Sequence, residues 1–221
     1  MAWVAFETSS RSGSVALSHG EFLGELRLTE AEAHARDLLP RLDELLARAG
    51  TSAGSIEAVF AGTGPGSYTG LRIGIATALG LARGTGAGVR GVPSGEALVH
   101  GVVAPGEEAA VLLDARAGEL YLARYRRTAD GVAVARPPCV IAASELAREL
   151  PPGPLVLGDA PALRAAAGAG HAPDRLQEAP PPRALSVLEL GRARYLELGP
   201  QAPAEMEPLY LRPFAAAVRR R

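Results

Sequence analysis

Residues 61–84 read AGTGPGSYTGLRIGIATALGLARG, a glycine-rich loop followed by a helix-forming run. Gly62, Gly64, Gly66 and Gly70 fall within nine residues. Glycine recurs at such density where the backbone takes positive φ angles, or where another backbone or a ligand comes too close for a side chain. The run at residues 69–83 is apolar on nearly every face, which predicts a helix buried on more than one side.

The small residues of this helix are spaced four apart. Gly70 and Gly74 form one pair, and Ala76, Gly80 and Gly84 form a series. This spacing lets a second helix pack at short range and is best known from membranes, but the apolar run is shorter than the ~18 residues that a membrane span needs. We therefore expect a smooth ridge that packs against another helix, in the same domain or in another subunit.

The composition limits the classes of function. A chain of 221 residues accommodates one large domain or two small ones. A formal net charge of -1 argues against a dedicated nucleic-acid-binding surface. The lone cysteine, Cys139, excludes an internal disulfide and fits a reducing compartment. The N-terminus lacks an export signal, so we expect a cytoplasmic protein.

The sequence contains no lysine. A Walker A loop needs a lysine to reach the phosphates, and a Schiff-base enzyme needs a lysine amine. Both classes are excluded, whatever the cause of the deficit.

The order of predicted elements indicates an α/β protein. Three short strands at residues 3–8, 14–18 and 22–28 form a meander, and a helix follows at residues 29–49, with a capping box at Thr29 and Glu32. Strands at 56–61 and 88–92 flank the glycine-rich helix, and a third helix begins at Ser94. This order predicts a mixed sheet in a first domain at residues 1–103.

The second half, residues 104–221, restarts with strands at 110–114 and 120–127. A helix at 144–149, a strand at 155–157 and a helix at 184–198 follow, separated by proline-rich connections. The chain ends in an arginine tail, which we expect to be solvated.

The strand ends suggest a site with two interpretations. Glu7 and Thr8 close the first strand, where they could coordinate a magnesium nucleotide or simply cap a turn. The loop at Gly64, Gly66 and Ser67 could be approached by the same nucleotide, although it lacks the dinucleotide-binding glycine spacing. The four histidines lack the spacing of metal ligands, so no metal site is predicted. No nucleophile motif is present either, because Ser67 does not lie in a nucleophile elbow.

Several stretches together resemble one family. They are Glu7-Thr-Ser with Ser14-Val-Ala-Leu, His34 with Leu38-Leu39-Pro40, GTGPGSYTGLRIG at 62–74, GVPSGEAL at 91–98, DARAGELY at 114–121 and LYLR at 209–212. In this order they resemble the bacterial TsaB (YeaZ) family of tRNA threonylcarbamoyladenosine biosynthesis proteins. The resemblance implies an actin-like ATPase (ASKHA) fold of two related lobes, the second one degenerate.

The resemblance also implies a noncatalytic role. Members pair with a larger paralogue, TsaD, which transfers threonylcarbamoyl to N6 of adenosine 37 in tRNAs that read ANN codons, and the ATPase TsaE joins the complex. The catalytic paralogue carries a His-x-x-x-His metal pair where this chain has Ser94 and Leu98. Neither residue is a credible ligand for a transition metal, so we expect no catalytic residue and no metal here. Contact with tRNA would occur only through the complex.

The first two helices form the pairing surface in that family. The implied interface residues are His34, Leu38, Arg41, Leu42, Tyr68, Leu71, Arg72, Ile75 and Leu79. We expect a homodimer through the same helices when the partner is absent, because the apolar surface would otherwise be exposed. ATP or ADP with magnesium could sit at the interface of the complex.

The residues leave two enzymatic alternatives. Glu7, Thr8 and the glycine loop leave open a stand-alone actin-like ATPase or small-molecule kinase. A metallopeptidase is disfavoured by the absence of the histidine pair.

Overall fold

The first lobe is built on one five-stranded mixed sheet. A computed structural model describes residues 1–28 and 34–211; the predicted capping box at Thr29 and Glu32, the side chain of His34 and the arginine tail lie outside the described part. The elements are β1 Ala2–Glu7, β2 Ser14–His19, β3 Phe22–Arg27, α1 His34–Arg48, β4 Ile56–Gly62, α2 Tyr68–Thr85, β5 Gly88–Val92 and α3 Ser94–Val102.

The strand order in this sheet is β3-β2-β1-β4-β5. The meander strands pair antiparallel, whereas β4 and β5 join parallel to β1 because helices supply their crossovers. Side chains alternate along β1: Val4 and Phe6 face α1 and α2, and Trp3 and Ala5 face the opposite side. The predicted mixed sheet is confirmed.

The second lobe repeats this plan in reduced form. Its elements are β6 Glu108–Arg116, β7 Glu119–Arg127, β8 Val132–Ala142, α4 Leu146–Glu149, β9 Leu155–Gly158, α5 Ala160–Gly168 and β10 Leu176–Glu178. Read from β8, the order β8-β7-β6-β9-β10 matches the first sheet. The crossover helices have 4 and 9 residues, against 15 and 18 in the first lobe. The two-lobed actin-like α/β fold with a degenerate second lobe is therefore confirmed.

Three elements of this lobe were not predicted: β8, α5 and the three-residue strand β10. Strand β8 contains Pro137 and Pro138, and proline in a sequence argues against a strand. The strand forms because it lies at the edge of the sheet, where proline is tolerated. Helix α5 is mostly alanine and glycine and has little periodic pattern; Asp159 caps it by accepting a hydrogen bond from the Ala162 N–H at 3.0 Å.

The end of the chain corrects the expected division into residues 1–103 and 104–221. Helix α6 (Ala184–Leu198) leaves the second lobe and packs on the first sheet, where Val187 and Leu188 join the cluster around Trp3 and Phe60. A Cβ at Gly191 would lie 2.5 Å from the Phe60 ring, so glycine is what allows this close approach. Past this helix, the Leu209 N–H donates to the Thr63 carbonyl at 2.7 Å. Only the middle of the second half therefore forms the second lobe.

Helix α2 does not carry the single smooth ridge that the spacing suggested. Gly70 and Gly74 face inward, and a Cβ on Gly74 would lie 2.2 Å from Thr8 Oγ1. A Cβ on Gly80 or Gly84 would meet no heavy atom within 4 Å. The small residues thus divide into an inner pair, which packs within the chain, and an outer strip with Ala76, which faces out. None of the described helices is long and apolar enough to cross a bilayer.

Substitution by alanine should affect stability differently at inward-facing and outward-facing glycines of α2. Gly74→Ala forces a methyl group into Thr8, so we expect the free energy of unfolding to fall by about 1–3 kcal/mol. Gly80→Ala should leave stability unchanged or raise it by up to ~1 kcal/mol, because alanine is the better helix former. Urea unfolding of both variants checks this; equal effects would contradict the inward packing of Gly74.

Candidate functional site

The end of β1 lies directly beneath the glycine loop, defined here as residues 63–67. The Ser67 N–H donates to the Ser9 carbonyl at 2.6 Å, and Thr8 Oγ1 donates to the Gly70 carbonyl at 2.8 Å. A Cβ on Gly66 would lie 2.3 Å from the Ser9 carbonyl oxygen. The glycines therefore serve close approach by the chain's own backbone.

The N–H groups of Thr63, Gly64 and Ser67 in the loop are already used within the chain. The Gly64 N–H, at a residue with φ of 100°, donates to Ser94 Oγ at 3.0 Å. The Gly70 N–H donates to Ser67 Oγ at 3.2 Å, which caps α2. A phosphate-binding loop needs free N–H groups that point at its ligand. The structure brings Glu7, Thr8, Gly64, Gly66 and Ser67 together, but their contacts favour the structural interpretation over the nucleotide one.

Glu7 is a fully buried carboxyl group at the centre of this arrangement. Its Oε1 accepts from the Ser9 N–H at 2.6 Å, and its Oε2 accepts from the Ser94 hydroxyl at 2.8 Å. Burial raises the pKa of Glu7 above its ordinary value, and these hydrogen bonds offset part of the rise. A cation ligand would need this carboxylate to be open to the site, whereas the side chain is fully buried and each oxygen accepts a hydrogen bond from the chain.

A cavity of about 230 Å³ lies between the two lobes, next to this site. Its walls come from the end of β1, the glycine loop, the start of α3, strand β6 and the proline-rich segment at 179–182. The residues described as lining it include no arginine or histidine, and most of its surface is apolar. Among the residues that the structure describes, no three histidine, cysteine, aspartate or glutamate side chains could share a metal ion.

The predicted interface residues divide by burial. Leu38, Leu42 and Leu71 are 1–2% exposed and lie in the chain's own core, so their assignment to the interface is wrong. Tyr68 and Arg72 are exposed, and Leu79 is half-buried. One face of a helix packs in the core and the other meets solvent. The spacing alone did not show which of these residues lie on the exposed face.

Arg41 also lies on the outer surface, in an ion pair with Glu44 at 2.9 Å. Ile75 is 5% exposed and contributes to the floor of a surface groove. We call this the docking groove; it has a volume of about 380 Å³ and is lined by Tyr68, Arg72, Ile75, Ala76, Leu79, Glu207, Pro208 and Tyr210.

The segment after α6 supplies one wall of the docking groove, which the sequence did not predict. The rings of Tyr68 and Tyr210 stack with centroids 5.2 Å apart and planes at 29°. The Arg72 guanidinium lies 5.3 Å from the centroid of the Tyr68 ring. The LYLR stretch was the available signal, but its distance in sequence from α2 hid the contact.

Comparison with known proteins gives the family. The profile described as TsaD: tRNA N6-adenosine threonylcarbamoyltransferase matches residues 25–174, more than half of the chain. The chain belongs to the TsaD family.

Relatives within the TsaD family agree with the resemblance to TsaB. The chain is 37% identical over 135 residues to the tRNA threonylcarbamoyladenosine biosynthesis protein TsaB of Escherichia coli, covering 60% of this chain and 58% of that protein. It is 31% identical over 126 residues to TsaB of Haemophilus influenzae, covering 56% and 53%. The matched part thus spans less than two thirds of either relative.

A solved structure extends the similarity over the whole fold. YeaZ from Pseudomonas aeruginosa superposes with a TM-score of 0.83 at 26% identity, covering 95% of this chain and 99% of that chain. The resemblance to TsaB and YeaZ within the TsaD family is confirmed.

The buried Glu7 predicts a pH-dependent difference between wild type and Glu7→Gln. A raised native pKa means that the native protein holds this proton more tightly than the unfolded chain. The stability contributed by Glu7 is therefore fully present below its ordinary pKa of 4.5 and is lost as pH rises through the raised pKa. The glutamine variant has no such loss. The free energy of unfolding of Glu7→Gln, measured relative to that of wild type, should therefore rise as pH increases.

Chemical denaturation between about pH 4.5 and 8 measures this difference. Glu57→Gln, at an exposed position of β4, is the matched control and should show no such trend. A pH-independent difference between Glu7→Gln and wild type would contradict the account of Glu7.

Proposed function

We propose that this chain is a noncatalytic, activating subunit that forms a heterodimer with a TsaD-like catalytic subunit. The complex would form N6-threonylcarbamoyladenosine at position 37 of ANN-decoding tRNAs. Membership of the TsaD family and similarity to TsaB support this assignment. The observation that carries it is the outer face of α2, where a groove with aromatic walls adjoins a strip of small residues.

The start of α3 supports the noncatalytic part of the proposal. Ser94 and Leu98 occupy the two places where the resemblance gives the catalytic paralogue its metal-binding histidines. Ser94 is 1% exposed, and its hydroxyl already bonds Glu7 and the Gly64 N–H. Leu98 is 4% exposed and packs in an apolar cluster with Val99 and Tyr125. A leucine, and a serine whose hydroxyl is already hydrogen-bonded within the chain, cannot supply the imidazole ligands that such a site uses.

The outer face of α2 supports the docking part. Ala76 and Gly80 are exposed and offer no side chain that would hold another helix away. Beside them, Leu79 and the stacked Tyr68 and Tyr210 provide apolar area, with Arg72 and Glu207 as charged groups. Aromatic and arginine side chains around a small apolar centre are typical of residues that dominate binding energy at protein interfaces.

The remaining partners follow from the same assignment. A TsaE-like ATPase would join the complex, tRNA would be contacted only through it, and ATP or ADP with magnesium could bind at the subunit interface. In the absence of the catalytic subunit, the docking groove and the outer strip would pair with a second copy of the chain.

The stand-alone ATPase or kinase is the weaker alternative. The loop N–H groups of Thr63, Gly64 and Ser67 are used within the chain, and the residues that line the cavity between the lobes include no arginine for the phosphates of a nucleotide. The chain has no lysine that could replace it.

Leu79→Asp should abolish the proposed activation. A carboxylate in the apolar part of the docking groove would cost binding free energy of about 2 kcal/mol or more, equal to a loss of affinity of about thirtyfold. Calorimetric titration with the TsaD-like subunit measures the affinity, and a reconstituted tRNA modification assay measures the consequence.

Leu196→Asp is the matched control. Leu196 is 67% exposed on α6, which packs on the opposite face of the first sheet from α2. Wild-type affinity for Leu79→Asp, or tRNA modification that proceeds equally well without this chain, would defeat the proposal.

A further inference from the structure

The Ser94 hydroxyl joins three segments that are far apart in the sequence. It donates to Glu7 Oε2 at 2.8 Å and accepts from the Gly64 N–H at 3.0 Å. The Ser94 N–H in turn donates to the Gly64 carbonyl at 2.8 Å. We call Glu7, Gly64 and Ser94 the Ser94 junction; it ties the end of β1, the glycine loop and the start of α3 together.

The space around the junction is filled. A Cβ on Gly62 would lie 2.0 Å from Glu7 Oε2 and 2.9 Å from Ser94 Oγ, so no side chain fits there. Glu7 is fully buried and Ser94 is 1% exposed. Buried polar groups that lose their partners are costly because water cannot replace them, so the junction holds one arrangement.

Both walls of the docking groove are attached to the loop that this junction holds. On one side, the loop runs through Ser67 into the start of α2, whose first two turns carry Tyr68 and Arg72. On the other side, the Thr63 carbonyl accepts from the Leu209 N–H at 2.7 Å, next to Tyr210. A shift of residues 63–67 would therefore change the spacing of the stacked tyrosines.

We propose that Ser94 and Glu7 are positioning residues, which fix the glycine loop so that the two walls of the docking groove stand at the separation a partner helix requires. The groove's role in docking rests on the proposed function, whereas the effect on the groove's geometry does not. Ser94 and Glu7 are buried and touch no partner; they act through the loop.

The first measurement is hydrogen exchange of the chain alone, with Ser94→Ala. Loss of the hydroxyl leaves the Gly64 N–H and Glu7 Oε2 without their partner, so exchange at residues 63–72 and 207–211 should speed up at least about tenfold. Exchange in β7 and β8 should stay unchanged. Ser186→Ala, which alters another buried serine on α6, is the matched control and should leave the groove segments as in wild type.

The second measurement is the affinity for the TsaD-like subunit. Ser94→Ala should weaken binding about tenfold although it alters no residue of the groove. Glu7→Gln keeps an amide within reach of Ser9 and Ser94, so it should weaken binding less than Ser94→Ala. A purely stabilising role would change the melting temperature of Ser94→Ala without changing the exchange of the groove segments.

The two measurements separate the possible failures. Unchanged exchange at residues 63–72 and 207–211 overturns the positioning role, whatever the partner does. Faster exchange with unchanged affinity shows that the junction does not govern docking, and also overturns it. If wild type itself fails to bind the TsaD-like subunit, the proposed function falls, and the exchange result still decides whether the junction sets the geometry of the groove.

Discussion

The close approach of the end of β1 to the glycine loop and α2 determines the arrangement of the first lobe. Thr8 and Ser9 occupy space that side chains on Gly66, Gly70 and Gly74 would fill, and they bond the loop and the first turn of α2. Each of these glycines loses conformational freedom on folding, and its missing side chain allows a close contact with Thr8 or Ser9 in the native state. The opposite face of α2, with Ala76 and Gly80, is exposed.

Helix α3 connects this arrangement to the second lobe. Its first residue, Ser94, belongs to the junction under the glycine loop, and a Cβ on the next residue, Gly95, would lie 2.7 Å from the Tyr125 hydroxyl of β7. Further along the helix, Glu96 pairs with Arg194 of α6, and His100 lies 3.4 Å from Glu189 of the same helix. Burial, followed by the charge of Arg127, lowers the pKa of His100. One short helix therefore contacts both sheets and the returning C-terminal helix.

The fold of the first lobe could be predicted from the sequence, because its strands and helices carry clear periodic patterns and glycine boundaries. Contacts between segments that are distant in the sequence could not be predicted. The spacing of Gly70, Gly74 and Gly80 is regular, yet only the position of Thr8 decides which of them face inward. Leu38, Leu42 and Leu71 share their helices with Tyr68 and Leu79, and burial alone separates core from surface. The wall at Glu207 to Tyr210 could not be predicted, because local pattern carries no information about a return across the sheet.

The central claim is that the glycine loop positions a docking helix and does not bind a nucleotide. Isothermal titration of magnesium ATP into the isolated chain tests it most directly, since the loop N–H groups of Thr63, Gly64 and Ser67 are already bonded and Glu7 is fully buried. The account predicts no saturable heat up to millimolar nucleotide. One-to-one binding in the micromolar range that Ser67→Ala weakens would contradict it.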